Sequence, residues 1–226
     1  MFEFLAITNR RICPQANVTS ANITFGNAAF LAQIEKIASS GVKAIVLREN
    51  DISLNDYLDL ARSVLELCTA RKVQFIVHGL PQAALNLGCS FLHLPWTVFK
   101  EIFLSSDFPP LWKKKGVLSF GVSVHSTEEA ALAITHGASW LIGGHIYTTK
   151  SKDGLEGRGP EFLAELCKLS SVPVYGIGGI NEMNVTEIFK TGAAGACLMS
   201  SLMQSPDPSA LISAFVNKSK IFLGGK

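Results

Sequence analysis

The residues that could do chemistry sit where apolar runs end. Arg48, Glu49 and Asn50 follow "AIVL", His78 closes "VQFIVH", and Ser123 and His125 close "VLSFGVSVH". His145 stands between the apolar run "SWLIGG" and the polar, basic stretch "IYTTKSKDG". An arginine at such a junction offers a fixed fork of donors suited to a carboxylate or phosphate. The other reading of Arg48 is an ion pair with Glu49 or another interior group. A histidine at a junction titrates near neutrality and can take and return a proton. His145 is therefore either an acid/base group or a buried filler beside a surface loop, and the residues alone leave both open. His78 is a candidate site lining. His93, between Leu92 and Leu94, reads as structural, His136 as a solvated helix end before Gly137, and His125 as a residue orienting a loop.

Two further stretches, "GIGGI" (176–180) and "LMSS" (198–201), have the composition of a phosphate cup. Glycines such as Gly178 and Gly179 let a phosphate approach backbone N–H groups, and Met199, Ser200 and Ser201 add amides and hydroxyls. The plainer alternative is a pair of tight turns. A divalent-cation site needs carboxylates from more than one strand end, and only Glu49 and Asp51 are available, both after the same run. No metal site is expected.

These residues need a scaffold that gathers strand ends. Eight short runs rich in Val, Ile and Leu recur at 4–8, 43–49, 73–79, 90–95, 117–125, 139–147, 172–180 and 194–201, as expected for parallel strands buried on both faces. Helical patterns lie between them. Residues 53–72 place Leu54, Leu58, Ala61, Leu65 and Cys68 on one face behind the N-cap Ser53. Residues 126–137 open on a Ser126/Glu129 capping box and stop at Gly137, while 80–88 allow only a short helix. Alternating strands and helices over 226 residues predict one domain, 1–226, folded as a single (β/α)8 TIM barrel. An open doubly wound sheet is less favoured, because no glycine-rich turn follows the first strand. In a barrel, function lies at the C-terminal strand ends. The irregular 10–27 segment is the long first loop on that face.

Composition narrows the partners. A formal charge of +2 gives no reason to expect nucleic acid or an anionic membrane, and Lys113–Lys115 before Gly116 reads as a helix end. No run is long enough to span a bilayer, and the N-terminus carries no export signature. Five scattered cysteines imply reduced thiols and a cytoplasmic protein.

The motifs "VLREND" (46–51), "HLP" (93–95), "GVSVHSTEEA" (121–130), "GGHIYTTKSKDGLEGRG" (143–159), "PVYGIGGI" (173–180) and "GAAGACLMSSL" (192–202) resemble the thiamine phosphate synthase/thiazole tautomerase superfamily, in order along most of the chain. The synthase branch implies Mg²⁺-dependent joining of a pyrimidine diphosphate to a thiazole phosphate. Its Arg-Glu-Lys motif has Asn50 here in place of lysine, its Asn-Asp pair becomes His78-Gly79, and its second metal carboxylate falls at or near Val98. The tautomerase branch resembles Gly144-His145 and "GLEGRG" more closely, and implies cofactor-free aromatisation of a carboxythiazole phosphate. On that expectation His145 carries the proton, while Gly178, Gly179, Met199 and Ser200 hold the phosphate. Arg48 meets the substrate carboxylate, and Thr149, Lys150, Ser151 and Lys152 lie in a closing loop. Arg48, Ser123 and Lys152 also stand at positions matching the synthases, whereas His78 and the 10–27 loop have no match in the resemblance, and His78 stays a site-lining candidate from its strand end. The expected activity is thus an isomerase, the thiazole tautomerase. The alternatives are the synthase, or a non-catalytic barrel binding a thiazole or thiamine phosphate. The resemblance also admits a homo-oligomer such as a dimer, although no apolar stripe marks an interface.

Overall fold

The apolar runs form eight parallel strands: β1 (Glu3–Ile7), β2 (Ala44–Leu47), β3 (Gln74–His78), β4 (Phe91–Leu94), β5 (Ser119–Val124), β6 (Trp140–Gly144), β7 (Val174–Ile177) and β8 (Gly195–Leu198). Each pairs with the next and β8 returns to β1, which closes the barrel. The computed structural model describes residues 2–14, 23–104, 119–149 and 154–224, without the side chains of 23–27, 104 and 221–224. Helices α1 (Ile23–Ala38), α2 (Leu54–Arg71), α3 (Pro81–Leu87), α4 (Trp96–Leu104), α5 (Thr127–Thr135), α6 (Gly159–Leu169), α7 (Val185–Lys190), α8 (Ser200–Met203) and α9 (Pro208–Gly224) follow the strands in turn.

Because side chains alternate along a strand, each run supplies two apolar layers. Residues such as Phe4, Ile45, Leu47, Val77 and Leu92 face outward against Phe30, Ile34, Val64 and Phe215 on the helices. Burying side chains of this size stabilises by roughly 1.5–3 kcal/mol each. The alternate residues, among them Leu5, Ile7, Val46, Ile76, Trp140, Ile142 and Tyr175, fill the barrel. All five cysteines are free thiols, and four of them are buried.

Local signals act largely as expected. Ser53 Oγ accepts from Asp56 N at 3.2 Å at the start of α2, and α3 is short, closing on Gly88 at φ +63°. Only half of the anticipated capping box forms in α5. Ser126 Oγ accepts from Glu129 N at 3.2 Å, but the Glu129 carboxylate turns back to His125 N at 2.7 Å and His125 Nδ1 at 3.2 Å. His136 is tied to the Leu132 carbonyl through Nδ1 and meets Phe99 edge-on, so it belongs to the helix packing rather than to solvent.

Strands β2 to β8 are shorter than the apolar runs that mark them, and two boundary differences bear on the rim. The last strand ends at Leu198, and Ser200 already begins α8, because the chain must turn sharply at the barrel rim. The first loop is shorter than 10–27. Asn9 caps a 3₁₀ turn over Arg10–Ile12, and α1 begins at Ile23. Residues 15–22, Lys113–Lys115 and 150–153 lie outside the described residues. Among the described residues, no helix is long and apolar enough to cross a membrane.

Candidate active site

The register of the sheet assembles the floor of the site. His78 on β3 pairs with His93 on β4, His93 with Gly121 on β5, and Gly121 with Trp140 on β6. These residues therefore share the face of the sheet that lines the barrel interior. A Cβ at position 121 would come within 2.1 Å of the Trp140 indole, so the ring lies across Gly121 where no other residue leaves room. It stacks on His93 at 6.2 Å between centroids, and His93 lies 5.7 Å from His78. Two residues beyond Gly121 on β5, Ser123 Oγ stands 2.8 Å from His93 Nε2. Burial, with the Arg48 charge adding to it, pushes the His78 imidazole down to about 3. Burial and then its neighbour His78 hold His93 well below the usual histidine range. Both rings are neutral at physiological pH. His93, which reads from sequence as structural, is thus part of the pocket floor, and its inward register is what marks it.

Above this floor opens a cavity of about 880 Å³. Its wall brings together every described residue anticipated for the site: Arg48, His78, Ser123, His145, Thr149, Gly178, Gly179, Met199 and Ser200. Lys150, Ser151 and Lys152 lie outside the described residues. Asn9 and Trp96 also border it, and no sequence signal singled them out.

The Gly178–Gly179 turn can be built only from glycine. Both residues take positive φ, +105° and +66°, and a Cβ at 179 would meet Thr148 O and Tyr147 Cβ at 2.7 Å. Their carbonyls are committed outward. Tyr147 N donates to Gly178 O at 3.0 Å, and Asn184 Nδ2 donates to Gly179 O at 2.9 Å.

His145 is buried against this turn, where a Cβ on Gly178 would approach His145 Cβ to 2.8 Å. Its Nε2 donates to the Glu156 carbonyl at 2.7 Å, and its own carbonyl accepts from Arg158 N at 2.9 Å. The ring is thereby fixed by the far end of its own loop, through a partner eleven residues away that no local pattern announces.

Arg48 and Glu49 do not pair. Glu49 is buried beneath the rim, accepting from Thr8 Oγ1 at 2.7 Å and from Arg10 N at 3.0 and 3.1 Å. Burial raises its carboxyl, and the Thr8 and Arg10 hydrogen bonds oppose that rise. Asp51 binds Arg10 at 2.9 Å and Arg11 at 2.5 Å. Burial alone would raise Asp51, but these guanidiniums outweigh it and hold the carboxyl low. The Arg48 guanidinium borders the cavity and forms no ion pair with any described residue.

A closed (β/α)8 barrel thus sets the Gly178–Gly179 turn, the Met199–Ser201 turn, Arg48 and the neutral imidazoles of His78 and His93 around one cavity at its C-terminal strand ends. Residues 16–202 match the model of the family described as thiamine monophosphate synthase. The chain is 33% identical over 196 residues to the thiamine-phosphate synthase of Lysinibacillus sphaericus, a match covering 84% of this chain and 89% of that one. It is 29% identical over 194 residues to thiamine-phosphate synthase 2 of Streptococcus pneumoniae (strain R6), covering 84% and 88%. Among solved structures, thiamine phosphate pyrophosphorylase from Pyrococcus furiosus superposes with a TM-score of 0.76 at 24% identity, covering 99% of this chain and 98% of that one, which supports the fold. The chain belongs to the thiamine monophosphate synthase family.

The expected tautomerase is thereby corrected. The relatives are named synthases, and the role of His145 as proton carrier of an isomerisation goes with that reading. In this chain His145 ties the two ends of the loop after β6 together through the Glu156 carbonyl and the Arg158 amide.

The Mg²⁺ site implied by the synthase resemblance does not fit these residues. No carboxylate borders the cavity among the described residues, and no group of three His, Cys, Asp or Glu side chains there is arranged to hold a metal. The positions where the resemblance places the metal acids carry Gly79 and Val98.

Proposed function

We propose that this chain is an enzyme of thiamine biosynthesis that joins a pyrimidine diphosphate to a thiazole phosphate, the reaction its relatives' names denote. The observation that carries this reading is one cavity whose wall holds both the Gly178–Gly179 and Met199–Ser201 turns and, from other strands, Arg48 and Ser123. The thiazole phosphate occupies the cup, its oxygens accepting from the Gly179 and Ser200 amides and the Ser200 hydroxyl. The pyrimidine ring lies over His78 and His93 within reach of Ser123, and Arg48 faces the diphosphate.

The thiazole nitrogen then attacks the methylene carbon of the pyrimidine. The new C–N bond forms as the C–O bond to the diphosphate breaks, and its electron pair leaves with pyrophosphate. Arg48 stabilises the charge that develops there. This step moves no proton, which agrees with imidazoles that burial keeps neutral. His145 and Thr149 act as positioning residues that hold the loop after β6 over the cup. Free, mostly buried thiols fit a cytoplasmic setting.

The test is to incubate the purified protein with both substrates and follow thiamine phosphate and pyrophosphate. Absence of both products with intact substrate binding would sink this reading. It would favour a barrel that holds the ligand without joining it, a reading supported by a cavity wall that carries no carboxylate among the described residues.

A further inference from the structure

We infer that the barrel mouth takes up its phosphorylated heteroaromatic ligand without a divalent cation, with Arg48 and backbone amides supplying the counter-charge. The inference rests on the reading that the ligand's phosphate occupies the Gly178–Ser200 cup.

Three observations carry it. First, a magnesium ion needs hard oxygen ligands, normally one or two carboxylates beside the phosphate. The nearest acids are spent elsewhere. Glu49 is buried and filled by Thr8 and Arg10 N, Asp51 holds two guanidiniums, and the Glu129 carboxylate turns onto His125. Releasing any of them would break bonds that hold the rim together.

Second, the wall offers imidazoles where a cation would have to bind, and these are unsuited even to softer metals. His93 Nε2 is engaged by Ser123, while His93 Nδ1 and His78 Nδ1 are sealed inside the barrel. No third donor of the kind a metal needs stands beside them among the described residues.

Third, the charge a cation would supply has another source. Arg48 borders the cavity and forms no ion pair with a described residue, so its fork is open to an anion. Its backbone is pinned, since Arg48 N donates to Thr8 Oγ1 at 2.9 Å. The arginine is therefore held in place by neutral contacts and spends none of its charge within the described part of the protein.

The experiment is calorimetric titration of the full chain with thiamine monophosphate, once in EDTA and once in excess MgCl₂. The expected result is a Kd that agrees between the two conditions within about twofold, since no hard-ligand site contributes. A Kd tightened about tenfold or more by magnesium would overturn the inference while leaving the phosphate cup intact. No binding in either condition would overturn the inference and the cup together. Titrated with inorganic pyrophosphate, the stand-in for the diphosphate that Arg48 faces, the Arg48→Gln variant should bind at least about tenfold more weakly than the parent in both conditions, as loss of a charge-assisted contact dictates. Unchanged affinity in that variant would overturn the part given to Arg48.

Discussion

Thr8 on the first strand's exit donates its hydroxyl hydrogen to Glu49 Oε1 at 2.7 Å, forty-one residues away, and accepts from the amide of Arg48 at 2.9 Å. One hydroxyl thus fastens the end of β1 to the residue that presents the arginine. Replacing Thr8 with Val keeps the shape and removes both bonds, leaving a buried carboxylate short of a donor. Such a change costs about 1–3 kcal/mol. Urea unfolding should show that loss, with Thr8→Ser largely restoring stability. A Thr8→Val protein as stable as the parent would refute the clamp.

Acid should destabilise the fold through its floor. His78 has its imidazole pushed down to about 3, against an ordinary value of 6.5. Between these values the unfolded chain binds more protons than the folded one, so the contribution to stability is complete above 6.5 and is lost as the pH falls towards 3. At pH 5 His78 alone should account for about 2 kcal/mol. Buried Glu49, raised rather than lowered, slopes the other way, so the informative quantity is the difference between parent and His78→Asn. That variant should show a flatter stability profile from pH 7 to 5. Parallel profiles would refute a neutral buried His78.

The cup should not tolerate a methyl group. Gly179→Ala forces a left-handed backbone and a 2.7 Å approach to Thr148 O. Backbone strain of this kind costs about 1–3 kcal/mol, and moving the turn should weaken thiamine phosphate binding about tenfold or more. Calorimetry on the folded variant checks this, and an unchanged Kd would remove Gly179 from the ligand site.

His145 is expected to work through its loop. His145→Gln can still offer a donor to the Glu156 carbonyl, whereas His145→Ala leaves that carbonyl without it. Amide exchange at Arg158 and Gly159, which bond to the carbonyls of His145 and Ile146, should quicken in the Ala variant more than in the Gln variant. In turnover the Ala change should raise KM more than it lowers kcat. A collapse of kcat with KM unchanged would make His145 a catalytic residue instead.

Much of the scaffold could be read from the chain, because strands buried on both faces leave unbroken apolar runs and helices leave caps. The gathering of Arg48, His78, Ser123, His145 and the two turns follows from placing those runs in a barrel. What escaped depends on contacts between distant segments. Nothing near Glu49 reveals that it serves Thr8, and nothing near His145 reveals Glu156 as its partner. His93 escaped because its inward position follows from pairing with Gly121, which is a property of register. The reaction type was misjudged for a different reason. Gly79 and Val98 at the positions where the resemblance places metal acids do not name the bond being made.

The seat that Gly121 provides for Trp140 has an optical consequence. An indole buried in the barrel and stacked on His93 is a chromophore wired to the pocket floor. A ligand settling over His78 and His93, or a proton reaching them, alters the polarity around that ring and with it the emission of the protein. The barrel carries its own gauge of occupancy, which can be read by fluorescence without any added label.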